Sequence, residues 1–330
     1  MRNILETAAQ RYGIQASQLK PASGGHFSHV YEFSIGDNAY ILRITPPDAE
    51  IDLSAMQANL EWMAFLDKHG ASVSSPVPSK GKNLIELIER DGRCYLVVVF
   101  GEELSTGQWT DELVEQLGTT VGKLHALAQV YVPSSASVER PTWDEIGNCF
   151  NPLNLLEAAQ ATIREKQEQV MNLVQMLPKD KDGYGLIHTD LHAANFFIDP
   201  ETNTITIFDF DDSAYGWFVM DIALILLDMT VLHGGQEKDQ FAAWFLHWFL
   251  KGYVSEKPVS DFWIEHLPHF LKLLEIGLYI EVYEHYNSQD HDSWIAKFMG
   301  SRKDRIESNV PFLEIDFQGM ISKLSQDLSS

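Results

Sequence analysis

The sequence predicts an α+β chain built in two lobes or domains, and three observations point there. Its 330 residues exceed what most single hydrophobic cores hold together, so a second compact unit is expected. Strand-like runs separated by Gly, Asn and Asp turns fill much of the first hundred residues. Beyond Trp109, apolar residues recur mainly at helical spacing.

Composition narrows the class. A hydrophobic content of 45% is ample for a folded interior. The net charge of −23 disfavours nucleic acid or an anionic membrane as partner, because a phosphate surface needs clustered positive charge. It agrees with a cationic ligand, although solubility accounts for most of these acids. Cys94 and Cys149 are too few for a disulfide framework or a zinc site, which fits a reducing cytoplasm. The opening Met-Arg-Asn-Ile-Leu-Glu-Thr lacks a signal-peptide core. The most apolar run, Trp217–Leu232, contains Asp221 and Asp228 and falls short of the ~20 apolar residues of a membrane span. The expectation is a cytoplasmic protein without membrane or nucleic acid partners.

In chain order, residues 3–12 read as a short leading helix. Residues 19–33 are two strand-like stretches around Gly24-Gly25, where exposed backbone N–H groups could approach a phosphate; a plain hairpin turn is the simpler reading. Gly36-Asp37-Asn38 turns into a strand over Ala39–Thr45 that carries Arg43 between apolar neighbours. Ala55–Leu66 has a helical stripe. Leu84–Glu89 and Cys94–Phe100 form a hairpin, and Tyr95–Phe100, apolar without alternation, reads as a buried strand. In residues 111–128 the stripe Leu113, Leu117, Val121, Leu124 gives a helix, and Gly118 and Gly122, one turn apart, predict close helix packing. Further helices are expected over 154–177 and 262–286 and in the apolar run after Asp221. Phe241, Trp244, Phe245, Trp248 and Phe249 form an aromatic stripe that reads first as core.

The densest chemistry lies in residues 186–212. Phe196–Ile198 and Ile205–Phe208 flank a Pro-Glu-Thr-Asn turn and read as a hairpin. Asp190 and Asn195 precede its first strand and Asp209 follows its second. A hairpin of that register sets Asn195 and Asp209 side by side, and two such oxygens near a third carboxylate suit a Mg²⁺ that also holds phosphate oxygens.

His188-x-Asp190-x4-Asn195 followed by Asp209 resembles the catalytic loop and metal-binding segment of the protein-kinase-like fold. In the form His-Thr-Asp-Leu-His-Ala-Ala-Asn and Phe-Asp-Phe-Asp-Asp it is most similar to the aminoglycoside phosphotransferase family, which includes choline kinases. The resemblance implies a small antiparallel-sheet N-lobe over residues 1–101, which binds nucleotide, and a larger, mainly helical C-lobe over 102–330, which holds the catalytic loop and the acceptor. It implies ATP and Mg²⁺ as cofactors, Asp190 as catalytic base, and Asn195 and Asp209 as metal ligands. Gly24, Gly25 and Ser28 would form the nucleotide loop. Arg43 would stand where the family usually has a phosphate-binding lysine. Backbone groups of Val99, Phe100 and Gly101 would meet adenine. Asp221 would brace the catalytic loop's backbone, and His188 would orient the loop.

One position departs from the family. The helical glutamate that normally braces the phosphate-binding cation is matched by Asn59, and Glu61 lies on a different face. The acid that braces Arg43, if any does, is therefore left open. The expected activity is transfer of the ATP γ-phosphoryl group to a hydroxyl of a small, amino-bearing molecule. The alternatives are a protein serine/threonine kinase of the same fold, a nucleotide-binding pseudokinase, and a hydrolase that uses the clustered carboxylates. No Asp-Phe-Gly or Ala-Pro-Glu segment supports the protein kinase.

Overall fold

A computed structural model describes residues 2–22, 28–36, 38–47, 52–90, 93–102, 109–134, 140–145, 161–199, 202–283 and 294–320. The chain divides into two compact units. The first holds Met1–Gly107, Tyr131–Glu139 and Phe197–Asp211; the second holds Gln108–Val130, Arg140–Phe196 and Asp212–Ser330.

The first unit is built on an antiparallel five-stranded sheet. Its order is β1 (Lys20–Pro21), β2 (His29–Ile35), β3 (Asn38–Thr45), β5 (Arg93–Glu102), β4 (Glu86–Arg90). The pleat sorts the side chains of β3. Leu42 and Ile44 are fully buried in a cluster with Phe33, Val97, Val99 and, from α1 (Arg2–Tyr12), Ile4 and Ala8. Arg43, between them, faces the other side. Val97, Val98 and Val99 are all buried, so β5 is covered on both faces, as its lack of alternation predicts.

Helix α2 (Leu53–Lys68) starts at Asp52, whose carboxylate accepts from the Ser54 N–H. It buries the predicted stripe Met56, Leu60, Met63 and Leu66, with Asn59 beside it. The predicted hairpin is present as β7 (Phe196–Ile198) and β8 (Ile205–Ile207). Asn203 takes the left-handed conformation in its turn (φ +57°), which asparagine tolerates. β8 is tied to the chain after α2: the Ser74 N–H donates to the Ile207 carbonyl, and the Ile207 N–H to the Ser72 carbonyl.

The second unit is mainly helical. It contains α3 (Asp111–Ala128), α4 (Ala161–Gln175), α5 (Phe218–His233), α6 (Lys238–Glu256), α7 (Asp261–Val282), α8 (Trp294–Met299) and α9 (Arg302–Glu307). A small sheet pairs β6 (Tyr184–Ile187) with β9 (Ala214–Trp217). The glycines of α3 do what their spacing predicts. A Cβ on Gly118 would lie 1.9 Å from the Phe249 carbonyl oxygen, and one on Gly252 of α6 would lie 1.8 Å from that of Glu115. The two backbones touch because neither helix has a side chain there. The aromatic stripe is largely core, with Phe245 and Phe249 fully buried. Farther along, the buried Glu275 is neutralised by Lys272 (2.9 Å) and Arg302 (2.7 Å), which joins α7 to α9.

The helix expected over 154–177 is seen as Ala161–Gln175, and residues 154–160 lie outside the described residues. Gly24, Gly25, Glu284 and Tyr286 also lie outside them. Among the described residues, no helix is long and apolar enough to cross a membrane.

Candidate active site

In the second unit, β6 ends at Ile187 and delivers the chain into the His188–Asn195 loop. Two features hold that loop. Thr189 sits in the left-handed region (φ +68°), a costly place for a β-branched residue. It is kept there by its N–H, which donates to Asp221 Oδ1 (2.9 Å), and by its hydroxyl, which donates to the Asp212 carbonyl (2.6 Å). The His188 N–H donates to Asp221 Oδ2 (2.8 Å). Asp221, in the first turn of α5, thus braces the loop's backbone as expected. Its carboxylate is almost wholly buried, and burial alone would favour the neutral acid. Its hydrogen-bonded neighbours reverse this and hold its pKa below the ordinary carboxylate value.

Sequence reasoning missed the third of those neighbours. His125 of α3 is fully buried, with Nε2 3.1 Å from Asp221 Oδ2 and Nδ1 2.9 Å from the Tyr253 hydroxyl. Burial pushes His125 below its usual pKa, with Asp221 pulling the other way, and burial keeps the Tyr253 phenol protonated. A phenol that donates to Nδ1 leaves the proton of a neutral ring on Nε2, where it reaches Asp221. The sequence signal was the place of His125 one turn beyond Val121 on the buried stripe. A second missed acid, Asp228, lies two turns after Asp221 on α5. It accepts from the Ala193 N–H (2.8 Å), and burial raises its pKa.

Asp190 lies at the loop's centre, with its side chain 41% exposed. The Asn195 amide nitrogen donates both to the Asp190 carbonyl (2.9 Å) and to its carboxylate (2.8 Å). The two groups are therefore locked together, and it is the amide oxygen of Asn195 that remains for another partner. His192 Nε2 lies 3.5 Å from the same Asp190 carboxylate.

In the first unit, Asp209 follows β8 in the left-handed conformation (φ +62°), with its side chain 47% exposed. Arg43 forks onto Asp211, Nη1 to Oδ2 at 2.7 Å and Nη2 to Oδ1 at 3.1 Å, and its Nη1 lies 4.0 Å from Asp209 Oδ1. Burial opposes the charge of Arg43, but Asp211 and then Asp209 outweigh it and hold the guanidinium above its ordinary pKa. Asn59 of α2 donates to the Asp211 carbonyl (2.8 Å). The acid beside Arg43 is thus Asp211 and not a residue of α2.

The remaining expected nucleotide residues are also in the first unit. Ser28 Oγ shares a hydrogen bond with Thr45 Oγ1 (2.9 Å). The Val99 carbonyl accepts from Val77 N–H (2.7 Å), and Gly101 both donates to the Ser75 carbonyl (3.3 Å) and accepts from the Ser74 hydroxyl. The Phe100 ring lies under the Arg43 guanidinium, 5.3 Å from its centroid. Among the described residues, no group of three or more His, Cys, Asp or Glu side chains is arranged to hold a metal. The donors on hand are hard oxygens, an amide and a carboxylate, which is the chemistry of a magnesium ion that takes other ligands from phosphate.

A model of the phosphotransferase enzyme family matches residues 18–258. The chain belongs to the phosphotransferase enzyme family. Amicoumacin kinase of Bacillus subtilis (strain 168) is 30% identical over 329 residues, covering 96% of this chain and 95% of its own length. Probable choline kinase 3 of Arabidopsis thaliana is 30% identical over 276 residues, 74% of this chain and 75% of its own. A solved structure, amicoumacin kinase hAmiN in complex with AMP-PNP, Ca²⁺ and Ami, superposes with a TM-score of 0.84 at 26% identity, covering 96% of each chain. The fold of this phosphotransferase is protein-kinase-like, with a small antiparallel sheet in one unit and helices in the other. It is an ATP-dependent enzyme that phosphorylates a small molecule.

Proposed function

We propose that this phosphotransferase moves the γ-phosphoryl group of ATP to a hydroxyl of a small, amino-bearing compound, with Asp190 as the base. The observation that carries the reading is the Asp190–Asn195 pair: one amide nitrogen holds both the main chain and the carboxylate of Asp190. A base so held keeps its orientation through the reaction, and phosphoryl transfer depends chiefly on positioning and charge stabilisation. Asp190 orients the acceptor hydroxyl and takes its proton. Asn195, through its amide oxygen, and Asp209, through its carboxylate, are the residues that would hold Mg²⁺. The ion, when bound, neutralises charge on the phosphates. Arg43 donates to phosphate oxygens, Gly24, Gly25 and Ser28 line the nucleotide loop, and Val99, Phe100 and Gly101 of β5 meet adenine. In this reading residues 1–101 carry the nucleotide and residues 102–330 the catalytic loop and the acceptor.

The amino-bearing acceptor rests on the net charge of −23 and on the acceptors named for two relatives, amicoumacin and choline. The test is ADP release from Mg-ATP with a panel of amicoumacin, aminoglycosides, choline, amino alcohols and homoserine, set against neutral sugars. The expected result is turnover on an amino-bearing member. Preferred phosphorylation of neutral sugars or of a protein substrate would overturn it.

A further inference from the structure

We propose that Asp211 is the positioning residue that holds Arg43 for the nucleotide phosphates, and that Asn59 holds Asp211 in turn. The proposal rests on the phosphate role of Arg43 put forward above.

Three observations carry it. The fork between Arg43 and Asp211 is made at two hydrogen-bonding distances, 2.7 and 3.1 Å, so it fixes the plane of the guanidinium as well as its position. The far end of Asp211 is tied by Asn59, which stands where the family's bracing glutamate is expected. An asparagine there cannot neutralise a cation, but it does donate, at 2.8 Å, to the Asp211 carbonyl. Finally, Nε of Arg43 is buried without a partner, and Nη1 lies only 4.0 Å from the Asp209 carboxylate. A guanidinium has five N–H donors, and the fork takes two of them. Donors remain for phosphate while the brace stays in place. A lysine ammonium has three donors and no fork, so it could not be held in a plane this way. The exchange of lysine for Arg43 and of glutamate for Asn59 is then one change: the brace moves from α2 to the segment after β8, and the cation becomes one that a carboxylate can clamp.

Calorimetry on the whole chain tests this, with ATP and adenosine as probes, each with Mg²⁺ and with EDTA, alongside thermal melting. Asp211→Asn is expected to weaken ATP at least ~10-fold in both metal conditions, to change adenosine less than ~2-fold and to lower melting less than Asp221→Ala does. Asn59→Ala is expected to give a smaller loss of the same pattern. In the background of Arg43→Lys, Asp211→Asn should cost far less than in the native chain, since the two residues act as a unit. A loss confined to Mg²⁺ would place Asp211 with the ion and overturn the proposal, as would equal losses for ATP and adenosine. If Arg43→Met itself leaves the preference for ATP over adenosine intact, the phosphate role of Arg43 falls. If Arg43→Met abolishes that preference and Asp211→Asn does not, only the brace falls.

Discussion

Two carboxylates, Asp211 in the first unit and Asp221 in the second, each hold another group in place, and they do so in different surroundings. Asp221 is 1% exposed and accepts from two backbone N–H groups and a neutral histidine. Asp211 is 45% exposed and accepts from a single guanidinium. The first arrangement holds a main-chain conformation, including the strained Thr189. The second holds one charged side chain. A buried carboxylate that saturates buried donors belongs to the fold, because removing it strands those donors. Here only the carboxylate is half-exposed; Arg43 is 15% exposed but keeps Asp209 4.0 Å from its Nη1, so losing Asp211 costs less stability than losing Asp221 and shows up chiefly in function.

That contrast yields predictions of decreasing size. Asp221→Ala leaves two loop N–H groups and the Nε2 of His125 without a partner. It is expected to lower unfolding free energy by about 3–5 kcal/mol, at roughly 1–3 kcal/mol for each buried donor left unsatisfied. Urea denaturation measures it, and a stability close to native would mean that the loop holds itself. Asp190→Asn should do the opposite: unchanged stability and ATP affinity, with turnover reduced at least ~100-fold. Stopped-assay turnover beside a thermal melt separates the two, and a variant that retained most of its turnover would remove Asp190 from the base role.

The smallest effect is a pH dependence. His125 is held neutral, with its folded pKa below the ordinary 6.5. Below pH 6.5 the unfolded chain takes up a proton at this residue while the folded chain does not. Stability therefore falls as pH drops from 6.5 toward the folded value, and is fully present above it. In His125→Asn that part of the slope between pH 7 and pH 5 disappears. An unchanged slope of melting temperature with pH would mean that folding does not shift the pKa of His125. Asp228 bends the curve the other way. Its folded pKa is raised, so its contribution is lost as pH climbs above the ordinary carboxylate value of 3.8. Its window opens at that lower value, and the same measurement in an Asp228→Asn background separates it from the His125 effect.

Much of this was legible along the chain, because the patterns involved are short. The β7–β8 hairpin follows from two short β-type runs around a Pro-Glu-Thr-Asn turn. Asp190 and Asn195 were legible as the chemistry of a single loop, five residues apart, although the hydrogen bonds between them were not. Gly118 and Gly122 announced a close helix contact because only a missing Cβ permits it. Asp221 was legible as a carboxylate entering an apolar helix, which needs partners to be there at all.

What the tertiary structure alone decided are the pairings between distant residues. Arg43 and Asp211 are 168 positions apart, Asn59 and Asp211 are 152, and His125 and Asp221 are 96. Hydrophobic periodicity reports which face of an element is buried, not which polar group meets it there. Reading α2 by its register pointed to Asn59 as the missing brace and found no acid beside it. Packing set the Asp211 carbonyl against Asn59 and its carboxylate against Arg43, so the charge that α2 lacks came from β8's exit.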